Sequence, residues 1–165
     1  MRELWGRYWI FAHNGDLLDF SPALDGSFLP VGNTDSEHAF CWLLDRICAR
    51  FPQPPRRPAA LWRYIRALAG ELNPRGVCNF LLSDADYLYA HCSTQLSWLT
   101  RRAPFGKACL MDADMMVDFQ AETTPDDVVT VVATRPLTDN EPWTVMNAGT
   151  LAIFDAGEPV AMLDH

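Results

Sequence analysis

Apolar positions along this chain recur with two different periods, and the change from one to the other divides it. Tyr8-Trp9-Ile10-Phe11-Ala12 is an unbroken apolar run rich in aromatics, which predicts a short strand buried on both faces. It stops at a polar pair, Asn14-Gly15, and Asn-Gly is a strong turn signal because both residues tolerate φ > 0. Asp16 to Gly32, with its Gly, Pro and scattered acids, reads as a loop. The helical period then begins. Thr34 with Glu37 three residues on fits a capping box, and Phe40, Leu43, Leu44, Ile47 and Phe51 fall on one helical face. Pro52 to Pro58 breaks that helix with a stiff connection, and a second helix is predicted from about Ala59 to Leu72, with Leu61, Ile65, Leu68 and Leu72 on one face. Beyond Asn73-Pro74-Arg75-Gly76 the pattern is that of strands: 77–83, 87–92, 115–119, 128–133, 150–154 and 159–162, with turns at 84–86 and 155–158. Two helices followed by strand hairpins make an α+β pattern, a helical layer against sheet.

Composition narrows the partners. With 165 residues, 49% apolar and 21% charged, the chain is one domain by length and has enough apolar mass for a core. A formal charge of −8 argues against nucleic acid, whose binding rests on clustered Lys and Arg. Five Cys without CxxC or zinc-ligand spacing fit reduced thiols, and no apolar run approaches the ~18 residues that span a bilayer. A cytoplasmic chain without a membrane partner is expected.

Several groups are candidates for chemistry. Asn14 offers a carboxamide and Gly15 a freely approached N–H at the tip of a rigid strand, which is what an oxyanion hole requires; the same pair also serves as a plain turn. Asp35 in Thr34-Asp35-Ser36-Glu37 reads equally as a helix-start charge favoured by the macrodipole. His38 and Cys41 share a helix face, but Cys41 lies between Phe40 and Trp42 and is read as packing. His91 and Cys92 point to opposite faces of a strand. Asp112, Asp114 and Asp118 lack calcium-loop spacing and any His, so they are read as turn and surface residues, and no metal is expected. Arg101 and Arg102 fit either structural ion pairs or the edge of a site.

Asn14-Gly15 after an apolar strand, followed by Thr34-Asp35-Ser36-Glu37 at a helix start, resembles the class II (N-terminal-nucleophile) glutamine amidotransferases. Arg2-Glu3-Leu4-Trp5-Gly6-Arg7-Tyr8-Trp9, Cys92-Ser93-Thr94-Gln95 and Thr100-Arg101-Arg102-Ala103-Pro104-Phe105-Gly106 are similar to the YafJ-like bacterial subfamily, and the similarity runs nearly end to end. The resemblance implies a four-layer αββα Ntn-hydrolase sandwich, of which residues 1–165 would be the later part of a single glutamine amidotransferase domain, truncated at its N-terminus. It implies hydrolysis of the side-chain amide of glutamine, or of a γ-glutamyl peptide, by an N-terminal Cys, with no cofactor. It assigns the Asn14 side chain and the Gly15 N–H to the oxyanion hole and Asp35 to the substrate α-ammonium. Residue 2 is Arg, so trimming Met1 exposes no nucleophile. An upstream segment or another chain is therefore expected to complete the fold, and the residues alone are expected to be marginally stable. The alternative is a catalytically inactive remnant serving as a binding or regulatory subunit.

Overall fold

The structure, a computed structural model, describes residues 1–113, 115–119 and 123–164. Its first element is one the hydrophobic pattern does not announce. β1 (Arg2–Leu4) and β2 (Arg7–Asn14) form an antiparallel hairpin, with Arg2 opposite Trp9 and Leu4 opposite Arg7. Trp5 and Gly6 turn it with φ of 61° and 75°, the paired positive dihedrals of a two-residue hairpin loop. A tryptophan is an unusual residue there. Its indole is held by a 3.1 Å hydrogen bond to the Phe51 carbonyl and by an edge-on contact with Trp9.

β2 departs from the expectation of a strand buried on both faces. Trp9 is fully buried, but Tyr8 and Ile10 are 62% and 55% exposed, because alternate side chains take opposite faces and helix cover reaches only one of them. On the covered face Phe11 stacks on Phe40 of α1 (Asp35–Arg50), ring centroids 5.4 Å apart.

Both helices form close to where their patterns place them. Thr34 caps α1 by accepting from the Glu37 N–H at 3.2 Å, and Phe40, Leu43, Leu44 and Ile47 are buried. The reciprocal half of the capping box is not made: the Glu37 carboxylate accepts from Val31 and Gly32 N–H groups (2.9 and 2.7 Å) and pairs with Arg2 at 2.7 Å. α2 (Pro58–Leu72) starts at Pro58, whose fixed φ and missing N–H suit a first helical turn, and it buries Leu61, Ile65, Leu68 and Leu72.

β3 (Asn79–Ser83), β4 (Leu88–His91), β10 (Leu151–Asp155) and β11 (Glu158–Leu163) extend the hairpin into a six-stranded sheet of order β1-β2-β3-β4-β10-β11. Phe80, Leu82, Tyr89, Leu151 and Ile153 join the helices in one core. Ala90, Ala152 and Phe154, alternating with them, build a second core with Leu96, Met146, Trp98 and Val132. That core belongs to a second sheet of order β8-β5-β9, made of β8 (Val128–Ala133), β5 (Ser97–Arg102) and β9 (Thr144–Val145). A short ribbon, β6 (Lys107–Cys109) with β7 (Met116–Asp118), completes the strands. All pairs among the described strands are antiparallel. The architecture is α+β, helix layer on sheet on sheet.

Candidate active site

β2 sends Phe11 and His13 towards the helices and Ala12 and Asn14 towards the other face, and Asn14 makes its last registered pair, with Asn79 of β3. Asn14-Gly15 is not the tight hairpin turn that the dipeptide predicts. Gly15 has φ 141° and Gly76 φ 145°, so the chain runs on, and Leu17 bridges to Gly76. The Val77 N–H donates to the Asp16 carbonyl at 3.1 Å, and the Leu18 N–H to that of Arg75 at 2.8 Å. The glycines serve close approach: a methyl carbon at Gly15 would sit 1.9 Å from the Val77 carbonyl oxygen, and one at Gly76 would sit 2.1 Å from that of Asp16.

Asp35, the first residue of α1, reaches this same segment. One carboxylate oxygen accepts from the Leu17 N–H at 2.8 Å and the other from the Ser36 N–H at 2.7 Å. Burial opposes its ionisation, but the two backbone donors, together with nearby His13 and the Ser36 hydroxyl, outweigh burial and hold the carboxyl below the usual carboxylate range. Asp35 is thus an anion at neutral pH, attached three residues after Asn14, a separation of at most ~10 Å along the backbone. A carboxylate has about four lone-pair directions, so these contacts leave capacity for a ligand. Asn14, Gly15 and Asp35, separated by twenty residues of sequence, are brought to one strand end.

Two neighbours escape sequence reasoning. Asn79 is buried; its amide donates to Thr94 Oγ1 at 3.0 Å and accepts from the Ser93 and Thr94 N–H groups at 3.0 and 3.2 Å. It thereby fixes the Ser93-Thr94 loop beside a cavity of about 180 Å³ lined by Ala12, His13, Asn14, Asn79, Leu96 and Thr134 among others. The available signal was a carboxamide inside an apolar strand, which must find partners if buried. His13 is the other neighbour; its ring contacts Ser36 and Val77.

Other candidates fall away from the site. Arg101 pairs with both oxygens of Glu141 at 2.6 Å and lies over the Phe119 ring, while Arg102 pairs with Glu158, so both arginines are engaged in ion pairs within the chain. Asp112 and Asp118 sit on or beside the β6–β7 ribbon, and Asp114 lies outside the described residues. Among the described residues, His, Cys, Asp and Glu form no group of three or more placed to hold a metal ion, and no helix is long and apolar enough to cross a membrane. Cys41, Cys78 and Cys92 are buried, and burial raises all three thiols, that of Cys78 to about 12 with Asp35's charge adding to the effect.

Residues 1–165 match the family model of the class-II glutamine amidotransferases. The chain belongs to that family. Within the class-II glutamine amidotransferases it falls in a YafJ-like subfamily: it is 54% identical to YafJ of Escherichia coli (strain K12) over 159 residues, 96% of this chain and 62% of that protein. A Haemophilus influenzae relative is 39% identical over 161 residues, 98% of this chain and 54% of the relative. The chain therefore spans between half and two thirds of the length of these relatives. A crystal structure of a predicted glutamine amidotransferase from Pseudomonas aeruginosa PA01 superposes with a TM-score of 0.85 at 54% identity, covering 97% of this chain and 62% of that one. A Silicibacter pomeroyi class-II domain protein, 21% identical with a TM-score of 0.56 over 94% of this chain and 67% of that one, shares the fold.

Proposed function

We propose that these residues supply the oxyanion-binding and ammonium-binding half of a glutaminase site. The observation that carries this reading is the placement of an ionised Asp35 on the backbone immediately after Asn14-Gly15. Attack on the side-chain amide of glutamine places negative charge on the carbonyl oxygen, and the Asn14 Nδ2–H and Gly15 N–H are the two donors to receive it. Asp35 accepts the substrate α-ammonium, so the amide to be broken is set by its distance from a fixed cation. A γ-glutamyl peptide carries the same two handles and fits the same half-site.

The nucleophile in this account is the N-terminal Cys of the family reaction, whose own α-amino group takes the thiol proton, and it comes from outside residues 1–165. The thiols of Cys41, Cys78 and Cys92, buried and raised by burial, support that assignment. Thiol attack forms a thioester and releases ammonia; water then releases glutamate. Residues 1–165 alone should release no glutamate from glutamine above background, and joining them to the family's Cys-first segment should restore turnover. Robust turnover by residues 1–165, surviving replacement of each internal Cys, would contradict the mechanism.

A further inference from the structure

His13 connects the two halves of the proposed site. Its Nδ1 lies 2.9 Å from Ser36 Oγ and its Nε2 lies 3.1 Å from the Val77 carbonyl oxygen. A carbonyl only accepts, so Nε2 carries a proton and donates it to Val77. Val77 is the residue whose carbonyl abuts Gly15 and whose N–H donates to Asp16, so that contact fixes the backbone against which the oxyanion donors rest. Ser36 is the residue whose N–H donates to Asp35, and its hydroxyl lies 3.3 Å from the same carboxylate oxygen. One imidazole ring, stacked on Phe11 and next in sequence to Asn14, therefore ties the tip of β2 to the first turn of α1.

Resting on the reading above, we infer that His13 is a positioning residue, a two-ended brace. Its Nε2 end sets the oxyanion donors through Val77, and its Nδ1 end sets the ammonium acceptor through Ser36. The two ends serve different stages of the reaction. The oxyanion exists only once the carbonyl has been attacked, whereas the ammonium is already charged in the bound substrate. Loss of one end should therefore appear in kcat and loss of the other in KM.

Steady-state glutamine hydrolysis by residues 1–165 joined to the family's Cys-first segment tests this. In His13→Gln the longer amide reaches the Nε2 position, keeping the donor to Val77 and losing Ser36. In His13→Asn the shorter amide reaches the Nδ1 position, with the opposite result. A hydrogen bond contributes a factor of about 3–10 in an equilibrium or rate, so His13→Gln should raise KM by that factor with kcat little changed, and His13→Asn should lower kcat with KM little changed. Ser36→Ala, which keeps the backbone N–H to Asp35, should reproduce His13→Gln, and combining the two should add nothing. The serine variant also reads the Nδ1 end if a His13 substitution fails to fold. Unchanged kinetic constants, a uniform loss in all variants, or additivity of His13→Gln with Ser36→Ala would overturn the brace. If Asn14→Ala leaves kcat unchanged in the same assay, the site assignment itself fails and the brace falls with it; if Asn14→Ala lowers kcat as expected while the His13 variants match wild type, the brace alone is wrong.

Discussion

Gly15 shows how much of the site rests on a missing side chain. Its φ of 141° is open almost only to glycine, and a Cβ would overlap the Val77 carbonyl oxygen at 1.9 Å. Dihedral strain costs roughly 1–3 kcal/mol before the overlap is relieved, so Gly15→Ala should lower the melting temperature markedly. Gly70, inside α2 with no atom within 4 Å of a Cβ, is the control: Gly70→Ala should stabilise by about 0.5–1 kcal/mol. Equal effects on thermal unfolding would show that the close approach at Gly15 is not what the position requires. The places of Asn14, Gly15 and Asp35 at a strand end and a helix start were legible in the sequence. Their convergence was not, because the Leu17 N–H that binds Asp35 belongs to a loop without pattern.

The elements divide by how their information is written. α1 and α2 follow from a period of 3.6 residues with Thr34 and Pro58 as starts, information contained within each segment. β1 was not legible, since it is three residues long and its turn uses Trp5 at φ 61°, a conformation permitted by contacts to Trp9 and Phe51 from elsewhere in the fold. β5 was hidden by Arg101 and Arg102, which look like surface or site residues until Glu141 and Glu158 arrive to pair with them. Buried on both faces was the wrong inference for β2, because a run of apolar residues does not say what covers each side.

At the scale of the molecule, both cores meet on the six-stranded sheet, and one buried titratable group on its helix face makes stability depend on pH. His91 donates from Nε2 to Asn73 at 3.0 Å, and burial pulls its pKa down to about 4. In the unfolded chain it titrates near ~6.5, so between those values the unfolded state binds the proton and the folded state does not. Stability is then complete above pH ~6.5 and falls as pH is lowered towards 4, by on the order of 3 kcal/mol from this one group. His91→Gln keeps a donor for Asn73 without titrating and should remove that component from denaturation curves between pH 7 and 5. An unchanged slope in the variant would refute the assignment. The resemblance of the whole chain to the class-II amidotransferases was legible from short motifs, and the fold agrees with it, with a TM-score of 0.85 to the Pseudomonas aeruginosa structure.

The central claim is that Asn14 and Asp35 act on different charges of one substrate, and steady-state kinetics of glutamine hydrolysis separates them directly. In residues 1–165 joined to the family's Cys-first segment, Asn14→Ala should lower kcat by about 10²–10³ with little change in KM, because its donor meets the oxygen mainly once it is an anion. Asp35→Asn should chiefly raise KM, since losing one partner of a desolvated charge pair costs about 2–5 kcal/mol; the carboxamide has one oxygen where two accept from the Leu17 and Ser36 N–H groups, so one of those hydrogen bonds and some folding stability are lost as well, with Thr34 still capping the helix. A fall in melting temperature for both variants, with kcat and KM of the folded fraction unchanged, would make Asn14 a strand-end residue and Asp35 a helix-start charge, and would contradict the account.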